Sequence, residues 1–177
     1  VNLREFADFP EVYERFAPSA FVPYIFEDGV YAIPETQTFP MLYYRKDILG
    51  ELGLSVPQTW DELMMTLSVI QKNNLEFGIP VATTQNPEFG MFAFWMFLYQ
   101  NDGEMYVYDG AKSALDQEPA IEAFDFWTSL YLNYQLPKEY DFVNRFRIGE
   151  MPLGIADYQN YNTLSVFAPE IRGLWEM

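Results

Sequence analysis

Leu63, Leu67 and Ile70 stand at i, i+4 and i+7, the spacing that lines apolar side chains along one side of a helix. Thr59 and Glu62 precede that stripe at the interval of a capping box, in which the Thr hydroxyl accepts from the third helical N–H and the Glu reaches back. Together they predict a helix closed by Asn73 and Asn74. The same reading applies from the start of the chain. Leu3, Phe6, Phe9, Val12 and Phe16 recur at three- and four-residue steps, and Pro10 divides them into two short helical pieces. Pro18 and Pro23 bracket a loop, and Asp28-Gly29 marks a turn ahead of a strand over 30–33. Pro34 and Pro40 hold the intervening TQTF extended, since a residue before proline is pushed out of the helical region. FPMLYY, 39–44, is a second, more apolar strand, followed by a short helix capped by Asp47 and ended near Gly53.

The second half alternates in the same way. A short strand is predicted over 77–81. MFAFWMFLY, 91–99, is nine apolar residues in a row, less than half of what a bilayer crossing needs, and so a buried helix. An edge strand over 105–108 leads to the Asp109-Gly110 turn. Asp116 opens a helix with Pro119 in its first turn; Ile121, Phe124, Thr128 and Tyr131 face one way, and Glu118, Glu122 and Asp125 mostly the other. Asp141 caps a helix that runs through Arg147 and stops at Gly149. A strand over 153–156 and a helix over 158–167 follow. Alternating helices and short strands indicate an α/β domain with a small mixed or mostly parallel sheet flanked by helices.

Composition narrows the function. The 177 residues are half hydrophobic, enough for a buried core. Twenty-six Asp and Glu against 10 Lys and Arg leave a net charge of −16, which repels phosphate backbones and makes nucleic acid a poor partner. With no Cys and no His, nucleophile–histidine pairs and zinc sites built on those ligands are excluded. No metal or other cofactor is expected. The chain starts at Val1 without a signal peptide and stops after GLWEM, so it reads as an excised piece of a longer polypeptide.

The order of the pieces carries a resemblance. YAIPETQTFPMLYYRKDILGELGLSVPQTWDEL, residues 31–63, resembles the hinge-crossing segment of the extracellular solute-binding proteins of carbohydrate ABC transporters, the maltose-binding-protein-like group. Arg45 stands where that pattern has Asn. TWDEL at 59–63, FAFWMFLYQNDG at 92–103, LDQEPAIEAFDFW at 115–127 and FRIGEMPLGI at 146–155 continue the match in order over roughly 30–160. Pro152 and Leu153 occupy the places of Ala and Met. The resemblance implies a lobe of the periplasmic-binding-protein fold, with 1–36 a remnant of the first lobe, 37–160 the second lobe and 161–177 leading back. It implies a non-catalytic receptor that holds a sugar or oligosaccharide between lobes and delivers it to the permease subunits. It further implies an extracellular place, periplasmic or at the cell surface, with the membrane reached only through a lipid anchor outside these residues.

A carbohydrate site needs flat rings for C–H faces and carboxylates, amides or hydroxyls for the rim. Two stretches offer both: Glu88 and Phe89 with Phe92 and Trp95 behind them, and Asp157, Tyr158 and Tyr161 after the last apolar strand. The resemblance adds a polar contact from the hinge strand, which Thr36, Gln37 and Thr38 would supply. Each has a plainer reading. Phe92 and Trp95 lie in an all-apolar helix that favours core packing, and Glu88 can serve a helix dipole. Asp157 and Tyr158 sit at a strand's carboxyl end, where open α/β sheets hold ligands. Arg145 and Arg147 read as a solvated helix face, and Trp60 and Trp127 as core. Two other functions remain open: a glycoside hydrolase using paired carboxylates, for which no signature pairing is visible, and a protein-interaction domain using exposed aromatics.

Overall fold

The computed structural model of the chain describes residues 1–35, 38–82, 89–108 and 110–177. Thr36, Gln37, Glu88 and the residue at the Asp109 turn lie outside them. Two compact units are present, Val1–Phe39 and Pro40–Met177.

In the first unit a single turn of 3-10 helix, Leu3–Glu5, precedes helix α1, Phe9–Tyr13. Pro10 sits in the first turn of α1, where its missing N–H costs nothing, so the apolar run splits as expected. Phe9, Phe21 and Val30 are buried together against Leu3, Tyr13 and Phe16, and Tyr13 stacks on Phe21 at 4.3 Å. Asn2 ties the piece together, its Oδ1 accepting from the N–H of Arg4 and of Val30. Between Pro18 and Pro23 the chain is 3-10 helix rather than loop, because a proline opens that helix without loss and Phe21 gains a buried position. Strands β1, Ile25–Phe26, and β2, Gly29–Val30, form a minimal hairpin, shorter than the strand expected over 30–33.

The second unit is a sheet between two helical layers. Its elements run β3 (Pro40–Arg45), α2 (Lys46–Glu51), α3 (Trp60–Lys72), β4 (Phe77–Gly78), α4 (Phe89–Gln100), β5 (Tyr106–Val107), β6 (Lys112–Ser113), α5 (Glu118–Leu132), α6 (Phe142–Ile148), β7 (Leu153–Asp157), α7 (Asn160–Phe167) and β8 (Trp175–Glu176). The four-stranded sheet has the order β4-β7-β3-β8. Strand β3 is antiparallel to both neighbours and β4 is parallel to β7, so the sheet is mixed, and the mostly parallel alternative does not form. Side-chain alternation along β3 and β7 feeds two cores. Leu42, Tyr44, Leu153 and Ile155 pack with Leu63, Leu67, Ile70, Phe97 and Leu130 of α3, α4 and α5. Met41, Tyr43 and Ala156 pack with Phe142, Phe146 and Leu164 of α6 and α7.

Local rules explain most boundaries. Thr59 Oγ1 accepts from Glu62 N–H at 3.2 Å, and Glu62 reaches back to the N–H of Gln58 at 2.7 Å, one residue earlier than the capping box predicts. Asp141 accepts from Asn144 N–H at 3.0 Å, and Gly149 closes α6 with φ +87°, a conformation costly for any other residue. Gly53, at φ +67°, ends α2. Asp47, in contrast, lies inside the first turn of α2 instead of capping it. Helix α5 starts at Glu118 rather than Asp116, which remains exposed.

The stripe on α5 is also corrected. Ile121 and Phe124 are 51% and 50% exposed, while Ala120, Ala123 and Leu130 are buried. Small residues let α5 approach α4, where Phe94 meets Trp127 at 6.0 Å and Phe97 meets Phe126 at 5.1 Å. The large apolar positions are therefore displaced to the flank. A different small residue has a steric duty at the sheet: a Cβ on Gly154 would stand 2.6 Å from the Phe142 ring. Gly154→Ala is expected to lower stability by about 1–3 kcal/mol through overpacking, measured by urea unfolding. An unchanged midpoint would mean that the ring moves aside freely.

Candidate functional site

The register of β3 and β7 sets the first residue of one strand opposite the last of the other, Pro40 against Asp157. This end of the sheet carries the turn into α7 and three of the residues singled out by sequence. Tyr158 and Tyr161 are 36% and 41% exposed, and their rings lie parallel within 5° with centroids 6.2 Å apart. Tyr161 also meets the edge of Trp175 of β8 at 5.7 Å. Asp157 is half-buried, and that burial raises its carboxyl pKa above the usual Asp value. Its side chain accepts no hydrogen bond among the described residues, although its backbone carbonyl is well served: Asn160 Nδ2 donates to it at 3.1 Å and Tyr43 Oη at 3.0 Å. A desolvated carboxylate and two flat rings on one turn can accept hydroxyl protons and cover apolar C–H surface, respectively.

A second ring group lines one side of α4. Phe89, Phe92 and Trp95 follow one another at three-residue steps, with centroids 5.3 and 5.4 Å apart. All three are half-buried, so they are neither sealed core nor free surface. Among the described residues, neither the buried indole Nε1 of Trp95 nor Thr38 Oγ1 in the first unit has a hydrogen-bond partner. Among the described residues no ring contact links this group to Tyr158 and Tyr161. Thr36, Gln37 and Glu88, expected beside these groups, lie outside the described residues.

Other residues resolve into structural partners. Arg145 pairs with Glu76, and Arg147 with Glu170 at 3.5 Å. Trp60 packs on Phe97 and Phe126 while its Nε1 donates to Gln100 at 2.8 Å. A cavity of about 320 Å³ opens there, lined by Pro40, Leu42, Trp60, Met96 and Ile155. Among the described residues no group of three or more acidic side chains gathers to hold a metal ion, and no helix is long and apolar enough to cross a membrane.

Sequence reasoning missed Tyr43 and Trp175 as parts of this end of the molecule. A signal that Tyr43 is buried with a polar head was present. Alternation in FPMLYYR puts Met41, Tyr43 and Arg45 on one face, and a polar head on a buried face must find partners. Nothing local announced Trp175, which meets Tyr43 and Tyr161 only through the pairing of β8 with β3.

Comparison with known proteins completes the picture. The family model for bacterial extracellular solute-binding proteins matches residues 5–145. No curated protein sequence gives a significant match. Among solved structures, an ABC transporter solute-binding protein from Thermotoga lettingae, bound to α-D-tagatose, is 25% identical with a TM-score of 0.80 over 94% of this chain and 45% of that one. MalE3 of T. maritima, bound to maltose, is 24% identical with a TM-score of 0.79, over 99% and 46%. UgpB of Mycobacterium tuberculosis, in complex with glycerophosphocholine, is 19% identical with a TM-score of 0.75, over 95% and 43%. The chain thus spans less than half the length of these structures.

Proposed function

The chain belongs to the family of bacterial extracellular solute-binding proteins, and we propose that it forms most of one lobe of a receptor that binds a sugar or oligosaccharide without turnover and hands it to an ABC permease. The family and the structural neighbours are binding proteins. Residues 1–36 are then a remnant of the first lobe, 37–160 the second lobe, and 161–177 the way back. The antiparallel course of β8 along β3 supports that last assignment, because it returns the chain towards the start of β3. The receptor works outside the cytoplasm, in the periplasm or tethered by a lipid anchor beyond these residues.

The observation that carries the sugar reading is the end of β7, where one turn carries a half-buried carboxylate without a hydrogen-bond partner among the described residues and two parallel, exposed tyrosine rings. Asp157, Tyr158 and Tyr161 form the grip in this reading. Phe89, Phe92 and Trp95 supply a second apolar wall, and Thr36, Gln37, Thr38 and Glu88 supply polar contacts at the hinge and the α4 approach. Titration of the full-length protein with mono- and oligosaccharides, maltose and α-D-tagatose among them, tests it by thermal shift. At a hundred times its Kd a ligand that binds only the folded state adds about 2.7 kcal/mol, a plain rise in Tm. Glycerophosphocholine belongs in the same panel. A shift with that ligand alone, or with none, would sink the sugar reading. Release of reducing sugar, abolished by D157N or E88Q, would overturn the absence of turnover.

A further inference from the structure

We infer that Tyr43 is a positioning residue of the ligand site, its buried hydroxyl fixing the turn that presents Asp157, Tyr158 and Tyr161; the inference rests on the receptor reading above. Tyr43 has 0% exposure in the core between the sheet and the α6–α7 layer. Its ring packs against Phe142, Phe146 and Trp175, with centroids 5.5, 6.2 and 5.9 Å away. Phenylalanine would fill that space equally well, so packing alone does not call for the hydroxyl. The oxygen instead reaches the strand end, where its single proton is shared between the carbonyls of Asp157, at 3.0 Å, and Tyr158, at 3.1 Å.

Those two carbonyls bracket the point where β7 becomes α7. The side chain of Gln159, at the capping position of α7, makes no capping hydrogen bond, so the helix start is not held by its own cap. Within the turn, Tyr158 O accepts from Tyr161 N–H at 3.0 Å and Asp157 O from Asn160 Nδ2. Tyr43 adds a donor from another element, three residues into the strand that starts opposite Asp157. A fixed turn keeps the carboxylate and both rings in one arrangement before a ligand arrives, which lowers the ordering cost of binding. Burial pushes the phenol pKa up to about 12, with the Tyr161 backbone N–H acting in the opposite sense, so the proton stays in place at physiological pH.

The test is Y43F in the full-length protein, with Ile70→Val as a control for lost stability far from the turn. Ile70 is fully buried in the other core, and trimming one methyl there costs a comparable amount. Hydrogen exchange should accelerate about tenfold at the amides of 161–163 in Y43F and stay unchanged at 153–155. Affinity for maltose or α-D-tagatose, whichever binds the unmodified protein, should fall about tenfold in Y43F and hold in I70V. Unchanged exchange in Y43F, or an equal affinity loss in I70V, overturns the inference. Failure of both sugars to bind the unmodified protein overturns the sugar reading and the ligand half of this inference, while the exchange result still decides whether the hydroxyl sets the turn.

Discussion

Replacing Arg45 with Met is expected to lower the unfolding free energy by about 3 kcal/mol, the lower end of the cost of breaking a buried ion pair from one side. Arg45 is 7% exposed. Its Nε and Nη2 donate to the two oxygens of Asp47 at 2.9 and 2.7 Å, a bidentate pair two residues apart. Its Nη1 donates to the carbonyls of Phe146 and Arg147, both at 3.1 Å. Those are carbonyls at the carboxyl end of α6, where the helix dipole favours a cation. One guanidinium therefore joins the end of β3, the first turn of α2 and the last turn of α6. Methionine fills the volume but leaves the carboxylate unpaired and the Arg147 carbonyl without this donor. Lysine keeps the charge and loses the fork, so R45K should lie between the two.

The same pair gives a pH signature. The Arg45 hydrogen bond holds the Asp47 carboxyl below the usual carboxylate range, against a smaller opposing effect of burial. A depressed folded-state pKa contributes stability that is present above the unfolded value and is lost as pH falls through the folded one. The stability gap between the unmodified protein and R45M should therefore be full at neutral pH and narrow only below the ordinary Asp range. Guanidinium unfolding at a series of pH values reads it directly. A gap below about 0.5 kcal/mol at neutral pH would place this guanidinium among surface pairs of little consequence.

What could be read from the residues follows from how local the physics is. Thr59, Asp141, Gly53 and Gly149 act within one helical turn, and their roles in the fold are close to those the sequence suggests. The face of α5 was not legible. Ile121 and Phe124 outweigh Ala120 and Ala123 in any count of apolar size, yet close packing on α4 selects the small pair. Asp47 looked like a cap because Asp commonly caps, but Arg45 offers it a stronger partner two residues away. At the site, Asp157 and Tyr158 could be picked out because a polar pair directly follows an apolar strand. The alternation in β3 marks Tyr43 as buried, but the link of Tyr43 and Trp175 to that turn was not legible, because each reaches it through strand pairing over more than a hundred residues or through a ring met in space.

The rings at that turn should carry the largest effect on binding. In the receptor reading, Tyr158→Ala and Tyr161→Ala in the full-length protein each weaken saccharide affinity about tenfold, the loss of one stacking face at about 1.4 kcal/mol. The double variant should lose less than the hundredfold product. The rings lie parallel with centroids 6.2 Å apart, and truncating one also removes support from the other. Each single change thus already carries part of the second loss. Calorimetric titration of the four proteins of this cycle measures the coupling. Tyr161→Phe separates ring from hydroxyl: it keeps the ring against Trp175 and should bind within a few-fold of the unmodified protein if stacking dominates. Binding unchanged in both alanine variants would move the grip away from this turn and towards the rings of α4, where Phe92→Ala and Trp95→Ala would then carry the loss.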